Sequence, residues 1–193
     1  MTRSADFPSS PRLATPRLLL APFQEGDVDE LRAFFNDPDV ARYLLDGASV
    51  SREWVEEEVR GSRRRFAEGS AGLWTVRANT DEAAHNGESG RTRPDQSLLG
   101  IVGFRPFFDP PELQLLYALH RSRWGRGIAT EAARAAIDYA FDVMGLDEVR
   151  AATDSPNSAS IRVLERLGMN RWRTDPGDPW DILFYRVWSS SWR

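Results

Sequence analysis

The chain has 193 residues, enough for one domain with a substantial buried core, and its 41% hydrophobic and 28% charged residues are typical of a soluble globular protein. The absence of cysteine excludes disulfides and cysteine-based metal or redox sites, and the two histidines, His85 and His120, match no zinc spacing. The net charge of -4 gives no overall attraction to nucleic acid, and no stretch approaches the ~20 apolar residues of a membrane span. We therefore expect a cytoplasmic protein with no nucleic-acid, membrane or metal partner.

Two segments of low apolar content, one before the predicted domain and one inside it, are expected to lack regular structure. Residues 1–14 are polar and proline-rich and lack the apolar core of a secretory signal, so we expect a flexible N-terminal tail. Residues 79–97 lack periodicity and contain many helix and strand breakers, which predicts a mobile loop, with a functional lid as the alternative. The remaining sequence predicts one domain over residues 15–193.

Hydrophobic periodicity predicts a mixed α/β order of elements. In chain order these are a strand at 17–23, a helix at 25–36, a helix from Ser51 to about 66, strands at 73–78, 98–108 and 112–119, a helix from the glycines near 127 to about 144, a strand at 148–154, a helix at 155–167 and a strand at 182–188, with 169–173 as a further candidate strand.

Local signals set several of the helix ends. The first helix should end before Asp37-Pro38 because a residue that precedes proline avoids helical backbone angles. Ser155 is predicted to cap the last helix, with Pro156 at its first position, where a missing N–H costs nothing. Gly145 and Gly168 are predicted to end their helices.

A pair of glycines stands immediately before the alanine-rich helix in RWGRGIATEAARAAI, residues 123–137. The first N–H groups of a helix have no partner within it, and glycines allow close approach to bare backbone. The residues Gly125, Arg126, Gly127, Ile128, Ala129 and Thr130 therefore predict an anion-binding concavity, with added charge from Arg123 and Arg126. The alternative is that the glycines only tighten a strand-to-helix turn.

The two common nucleotide-binding fingerprints do not fit this loop. A Walker loop places Lys-Ser or Lys-Thr after its second glycine, whereas Ile128 and Ala129 follow here. A Rossmann fingerprint places a third glycine where Thr130 stands, and its first glycine directly follows a strand, whereas residues 120–124 intervene here.

Two successive strand-to-helix turns carry a family resemblance. ELQLLYALHRSRWGRGIATEA followed by ATDSPNSASIRVLERLGM resembles the acetyl-CoA site of the GNAT N-acetyltransferases. The opening LATPRLLLAPFQEGDVDELRAFFNDPDVARYL is similar to the branch that includes ribosomal-protein N-terminal (alanine) acetyltransferases, and the resemblance covers about residues 12–188. It implies a single α/β domain whose mixed, mostly antiparallel sheet is splayed between its fourth and fifth strands, 112–119 and 148–154, and is flanked by about four helices.

The resemblance implies transfer of acetyl from acetyl-CoA, as co-substrate, to a primary amine by direct attack. The implied cofactor-binding residues are Ala118, Leu119, His120, Arg123, Trp124, Gly125, Arg126, Gly127, Ile128, Ala129, Thr130, Asn157 and Ser160. A backbone N–H near Leu119 would face the thioester oxygen, and Ser160 would donate or relay a proton to the departing sulfur. Asn157 would hold the pantetheine arm; the alternative is that Asn157 and Ser160 simply cap a helix.

The chain departs from the family pattern at three positions: Leu164 stands where many relatives place a tyrosine acid, Gln114 where a glutamate is common, and Ser122 where the signature often begins with Gln or Arg. Gln cannot act as a general base. The other base candidates are Glu112, Asp109, His120 and Asp181, each of which is more typical of a surface or turn residue.

The missing base favours an acceptor that is readily neutral. An α-amine with a pKa near 7.8 is about 10–15% neutral at pH 7, whereas a lysine amine is only ~0.04% neutral. We therefore expect the acceptor to be a protein N-terminal α-amine or a weakly basic small-molecule amine. Tryptophans are more typical of the core or the groove wall, and the alternative for Trp172 and Trp180 is that they line the acceptor pocket. The alternatives are a non-catalytic acyl-CoA binding module and a fold relative used only for interaction. A homodimer through the last strand is a further expectation.

Overall fold

An eight-stranded sheet forms the centre of the structure, a computed structural model that describes residues 11–79, 97–108 and 112–192. The strands are β1 (Leu13–Ala14), β2 (Leu18–Pro22), β3 (Leu73–Ala78), β4 (Gly100–Phe107), β5 (Glu112–Leu119), β6 (Glu148–Asp154), β7 (Asn170–Asp175) and β8 (Ile182–Trp188). Their order in the sheet is β1-β2-β3-β4-β5-β6-β8-β7, and every neighbouring pair is antiparallel except β5 and β6. The predicted mixed, mostly antiparallel sheet is confirmed.

Five α-helices flank this sheet within the described residues, one more than the approximate number expected. They are α1 (Val28–Phe35), α2 (Pro38–Leu44), α3 (Arg52–Ala67), α4 (Ile128–Asp142) and α5 (Ser158–Arg166). The additional helix is α2. The Asp37-Pro38 pair that ends α1 also begins α2, because Pro38 takes its first position and the Asp37 carboxylate accepts a hydrogen bond from the Asp39 N–H at 2.9 Å.

The start of α5 differs from the prediction. Asn157, and not Ser155, caps the helix, and its side-chain oxygen accepts a hydrogen bond from the Ser160 N–H at 3.1 Å. Ser155 and Pro156 lie in a turn instead, because the Asn157 N–H donates back to the Asp154 carbonyl at 3.0 Å. The prediction placed the cap at the first suitable polar residue and missed this intervening turn.

Apolar side chains cover both faces of the sheet. On one face, α1 and α3 pack through residues such as Leu31, Phe34 and Val55 against strand residues that include Ile101. On the other face, α4 and α5 pack through residues such as Ala133, Ile137 and Leu164. These layers hold the strands and the helix ends that form the site in fixed positions.

The predicted N-terminal tail is only partly within the described residues. Residues 1–10 lie outside them, but Leu13–Ala14 pair with β2. The Pro11 carbonyl accepts a hydrogen bond from the buried Trp74 indole at 2.7 Å, because a buried N–H requires a partner. Residues 11–14 therefore belong to the folded domain. Most of the predicted loop, residues 80–96, also lies outside the described residues, and so does His85.

A membrane-spanning helix is not found in the part of the chain that the structure describes, since its helices lack the required combination of length and apolar character.

Candidate functional site

A groove opens where β5 and β6 separate. Within the described residues, the register between these two strands consists of one pair, Gln114 with Arg150, and the strands diverge beyond it. The opening leads into a cavity of about 420 Å³ that reaches from the loop before α4, along β5 and β6, to α2. The expected splay between residues 112–119 and 148–154 is confirmed.

The register with β4 decides which backbone groups of β5 face this groove. The His120 N–H donates to the Leu99 carbonyl at 3.0 Å, and Ala118 is paired with Ile101 two residues earlier. Because the backbone groups of an antiparallel strand point alternately to its two neighbours, Tyr117 and Leu119 direct theirs toward β6. The Leu119 carbonyl accepts a hydrogen bond from the Trp124 indole at 2.9 Å, and the Leu119 N–H faces the groove.

The backbone groups of Ala118 and His120 are directed away from the groove, although Ala118 lines it. The Ala118 backbone faces β4 in the strand register, and the His120 carbonyl accepts a hydrogen bond from the Arg123 N–H at 2.8 Å. The His120 ring lies 3.3 Å from the Asp37 carboxylate and packs edge-on against Phe34, so it does not line the groove. The lining of the groove does not include His120, and its expected contact with the co-substrate stays a prediction.

The two glycines before α4 form the concavity expected from the sequence. Gly127 is the N-terminal cap with φ +74°, and Gly125 has φ +73°, so both adopt the left-handed backbone that favours glycine. The N–H groups of Ile128, Ala129 and Thr130 are the first of the helix and have no partner within it. All three residues line the groove, as do Arg123 and Trp124, whereas the Arg126 side chain is exposed outside it.

An ion pair ties this helix end to the second strand. Arg17 donates through Nε and Nη2 to the Glu131 carboxylate at 2.6 and 2.5 Å, and its Nη1 donates to the Arg126 carbonyl at 3.0 Å. Thr15 adds a hydrogen bond of 2.6 Å to Glu131. Burial raises the pKa of the Glu131 carboxyl, but the hydrogen bonds from Thr15 and Arg17 outweigh it, and the net pKa is lowered. The negative charge of Glu131 in the first turn of α4 is thereby compensated.

Ser160 is joined to a residue that the sequence analysis missed. The Tyr117 hydroxyl lies 2.8 Å from the Ser160 hydroxyl and 3.1 Å from its carbonyl, and both residues line the groove. Burial raises the pKa of Tyr117 far above its usual value, so the phenol stays protonated at neutral pH. The sequence offered one indication of this position: Tyr117 precedes Leu119 by two residues, so their side chains lie on the same face of β5.

The described base candidates from the sequence lie outside the groove lining. Glu112 forms an ion pair with Arg150 at 3.0 Å and accepts a hydrogen bond from Gln114, while Asp181 is exposed. Asp109 lies outside the described residues. With His120 also directed elsewhere, the groove receives no carboxylate or imidazole from the predicted set.

Three other carboxylates, those of Asp39, Asp46 and Asp154, do line the groove toward α2. Burial, and to a lesser extent the charge of Asp46, raises the pKa of the Asp154 carboxyl. The described part of the chain contains no cluster of histidine and acidic side chains that could hold a metal ion. The groove lining also contains Arg162 and Arg166, so these carboxylates give it local negative charge that suits a positively charged group without making the whole groove negative.

The two tryptophans considered for the acceptor pocket separate in the structure. Trp180 packs against Tyr43, which lines the groove, with ring centroids 5.8 Å apart. Trp172 lies away from the groove among arginine side chains, with the Arg186 guanidinium 5.0 Å from its ring. Only Trp180 is adjacent to the groove.

The chain is similar in sequence and in structure to known acetyltransferases. Residues 17–170 match the model of the acetyltransferase (GNAT) domain. The chain is 32% identical over 168 residues to the protein YkkB of Bacillus subtilis, covering 84% of this chain and 87% of that protein. An acetyltransferase from Agrobacterium tumefaciens has a similar structure, with a TM-score of 0.72, 25% identity, and coverage of 96% and 99% of the two chains. RimL, the ribosomal L7/L12 alpha-N-protein acetyltransferase, shares the fold at a TM-score of 0.69, with 15% identity and coverage of 93% and 94%.

Proposed function

This chain belongs to the GNAT acetyltransferase family, and we propose from that premise that it acetylates a primary amine with acetyl-CoA in the groove between β5 and β6. The observation that carries the proposal is the junction of this groove with the N-terminus of α4. A slot in the sheet continues there into a concavity of unpaired N–H groups, which suits a ligand with an extended arm and an anionic end.

The concavity before α4 would hold the diphosphate of the co-substrate. A Cβ built on Gly125 meets no atom within 4 Å, so the space beside the backbone is open. One helix end contributes about 0.3–2 kcal/mol to anion binding, whereas micromolar affinity requires about 8 kcal/mol. The pantetheine arm must therefore also bind, and the outward-facing backbone of Tyr117 and the Asn157 side chain line its expected path.

Leu119 would stabilise the charge that develops during the reaction. The amine nitrogen attacks the thioester carbonyl carbon, a C–N bond forms, and the carbonyl oxygen becomes negatively charged. A preorganised N–H directed at that oxygen lowers the barrier because it needs no reorganisation when the charge appears. The orientation of the Leu119 N–H into the groove supports this role.

Ser160 would protonate the departing sulfur as the C–S bond breaks. Its hydroxyl can pass a proton to the thiolate and regain one from water, while the hydrogen bond with the Tyr117 hydroxyl, which stays protonated, holds the serine in place. The nitrogen loses its own proton to water or to a carboxylate of the described groove lining, which contains Asp39, Asp46 and Asp154 and no histidine. A thiol has a pKa near 8.5, so the sulfur leaves readily and the acid adds a modest factor.

The acceptor that best fits this site is a protein N-terminal α-amine or a weakly basic small-molecule amine. The carboxylates of Asp39, Asp46 and Asp154 at the α2 end of the groove would attract a positively charged acceptor. A site without a strong base favours an amine that is partly neutral at pH 7. The structural likeness to RimL agrees with a protein N-terminus as acceptor.

Thiol release from acetyl-CoA tests the proposal. We expect release that depends on added amine when peptides with free N-termini, lysine side chains with blocked N-termini, and small amines are compared. A binding module would be stabilised thermally by coenzyme A without amine-dependent release. If coenzyme A stabilises neither the wild-type protein nor Gly125→Glu, the chain uses this fold for interaction alone and the proposal is wrong.

A further inference from the structure

One part of the sheet is covered by long side chains where the rest is covered by helices. Alternate residues of β8, beginning with Leu183, belong to the core under α4 and α5, so the residues between them lie on the opposite side, that of α1 and α3. In the described part of the chain, the core under α1 and α3 contains no residue of β6, β7 or β8. We call this surface the open face; its side chains are those of Arg150, Trp172, Arg173, Phe184, Arg186 and Trp188.

Exposed large apolar side chains gather on the open face. Among the described residues, four such side chains are exposed: Phe108, Val143, Trp172 and Trp188. Trp172 and Trp188 belong to the open face, and the Phe108 ring borders it at 5.2 Å from the ring of Phe184. Only Val143, at the end of α4, lies elsewhere. Single exposed apolar residues are ordinary, but a group of them on one surface indicates a contact site.

Arginine side chains hold these aromatic rings in place. The Arg186 guanidinium contacts both exposed tryptophans, at 5.0 Å from the ring centroid of Trp172 and 5.4 Å from that of Trp188. The Arg173 guanidinium lies 3.8 Å from the ring centroid of Phe184, which is buried beneath it. Such stacking orders the long side chains in advance, so a partner would lose less entropy in binding them.

The strands of this region favour contact through the open face and not through a strand edge. The last strand, β8, has β6 on one side and β7 on the other, so the expectation of a homodimer through the edge of that strand is wrong. In β7, a register shift between Arg171 and Arg173 brings both Trp172 and Arg173 against Phe184. Bulges and charged side chains at an edge strand also oppose pairing with another chain.

The charges on and around the open face are balanced. Each of its arginines pairs with a carboxylate at 2.8–3.5 Å: Arg150 with Glu112 and Glu148, Arg173 with Asp175, and Arg186 with Glu148. Three arginines therefore lie among three carboxylates. A strongly acidic or strongly basic partner would meet like charges here, whereas a second copy related by a two-fold axis can present a carboxylate to each arginine.

We propose that the open face is the interface of a homodimer of this chain, formed about a two-fold axis. Trp172 and Trp188 would pack among the arginines of the second copy, and tryptophan and arginine are the residue types that contribute most at such contacts. Because Phe108 also lines the groove, the second copy would lie beside one wall of the groove. The inference goes beyond the proposed acetyl transfer and does not depend on it.

The mass of the full chain in solution tests the inference. Sedimentation velocity should give about twice the chain mass of 21.8 kDa, decreasing to that of one chain on dilution. The double variant Trp172→Ser, Trp188→Ser should raise the Kd of the dimer by about 30-fold or more. Val143→Ser truncates a comparably exposed side chain at the end of α4 and should leave this Kd unchanged. A monomeric wild type, or an unchanged Kd in the double variant, would overturn the inference.

Hydroxyl-radical labelling of the wild type removes any dependence on how well the variants fold. The labelling of Trp172 and Trp188 should decrease over the concentration range in which the mass doubles, while that of Val143 stays constant. A dimer in which both tryptophans are labelled as readily as in the monomer would have its interface elsewhere and would contradict the proposal. Capture of a different protein by the open face of a monomeric wild type would contradict it as well.

Discussion

The hydroxyl groups of Tyr117 and Ser160 lie 2.8 Å apart inside the groove and join β5 to the first turn of α5 across the opening of the sheet. The Tyr117 hydroxyl is within hydrogen-bond distance of both the hydroxyl and the carbonyl of Ser160, so two contacts fix the serine beside the groove. Because the two hydroxyls share a hydrogen bond, removal of either should impair the same step of acetyl transfer.

Tyr117→Phe and Ser160→Ala should each lower kcat for acetyl transfer by about 10-fold, which corresponds to ~1.4 kcal/mol of transition-state stabilisation. The double variant should be little worse than either single one, because the two hydroxyls act as one unit. Steady-state thiol release at saturating acetyl-CoA measures these values. Multiplicative losses in the double variant would show that the residues act independently and would contradict the shared role.

Gly125→Ala should weaken coenzyme A binding more than a matched glycine substitution elsewhere. Gly125 and Gly145 have φ values of +73° and +68°, and a Cβ at either position meets no atom within 4 Å. Both alanine variants therefore impose a similar backbone strain of about 1–2 kcal/mol. Only Gly125 borders the concavity, so Gly125→Ala should raise the Kd by about 10-fold while Gly145→Ala leaves it unchanged.

Calorimetry with coenzyme A and denaturant melts of both glycine variants provide this comparison. An equal Kd in Gly125→Ala and Gly145→Ala, with equal loss of stability, would mean that the Gly125 backbone only shapes a turn.

Some features of the fold could be predicted from the sequence because they depend only on residues that are close together in the chain. Strands β3, β5, β6 and β8 coincide with their predicted bounds, since each is a short run of apolar or alternating apolar and polar residues. The concavity before α4 was also predictable, because glycine at Gly125 and Gly127 meets a backbone requirement that few other residues satisfy.

The features that depend on partners distant in sequence were not predictable. Whether Leu119 or His120 directs its backbone to the groove depends on the pairing of His120 with Leu99, which no local pattern records. The same holds for Tyr117, whose contact with Ser160 spans 43 residues of sequence. The sequence also did not show which of Trp172 and Trp180 lies near the groove, because an aromatic residue near a turn looks the same from sequence whichever side of the strand it occupies.

Arg17→Ala should weaken coenzyme A binding although Arg17 is not in the cavity lining. The substitution leaves the Glu131 carboxylate, the fourth residue of α4, without its cation and close to the proposed diphosphate site. It also removes the hydrogen bond to the Arg126 carbonyl. We expect a rise in Kd of about 3- to 10-fold, which corresponds to ~0.7–1.4 kcal/mol for a partly exposed interaction.

Arg17→Ala combined with Glu131→Gln distinguishes charge from packing. If uncompensated negative charge causes the loss, the double variant should recover part of the affinity, and the effect of Arg17→Ala should shrink at high salt. Arg60→Ala, which breaks an exposed ion pair with Glu57 on α3, is the matched control and should leave the Kd unchanged. An affinity loss that neither salt nor Glu131→Gln relieves would assign Arg17 a packing role only.

Asp154→Asn should stabilise the protein at neutral pH and not at acid pH. Burial, followed by the charge of Asp46, raises the pKa of Asp154 above its ordinary 3.8, so the folded protein binds this proton more tightly than the unfolded chain does. The favourable contribution is therefore present below the unfolded pKa and is lost as pH rises through the folded one. Urea unfolding at pH 4 and pH 7 should show the variant gaining stability over wild type as pH rises.

The control variant is Asp46→Asn, which keeps a residue that tolerates φ +52°. It should give a smaller gain in stability, because burial is the larger cause of the raised pKa of Asp154. Equal stability of wild type and Asp154→Asn at both pH values would contradict a strained carboxylate at this end of the groove.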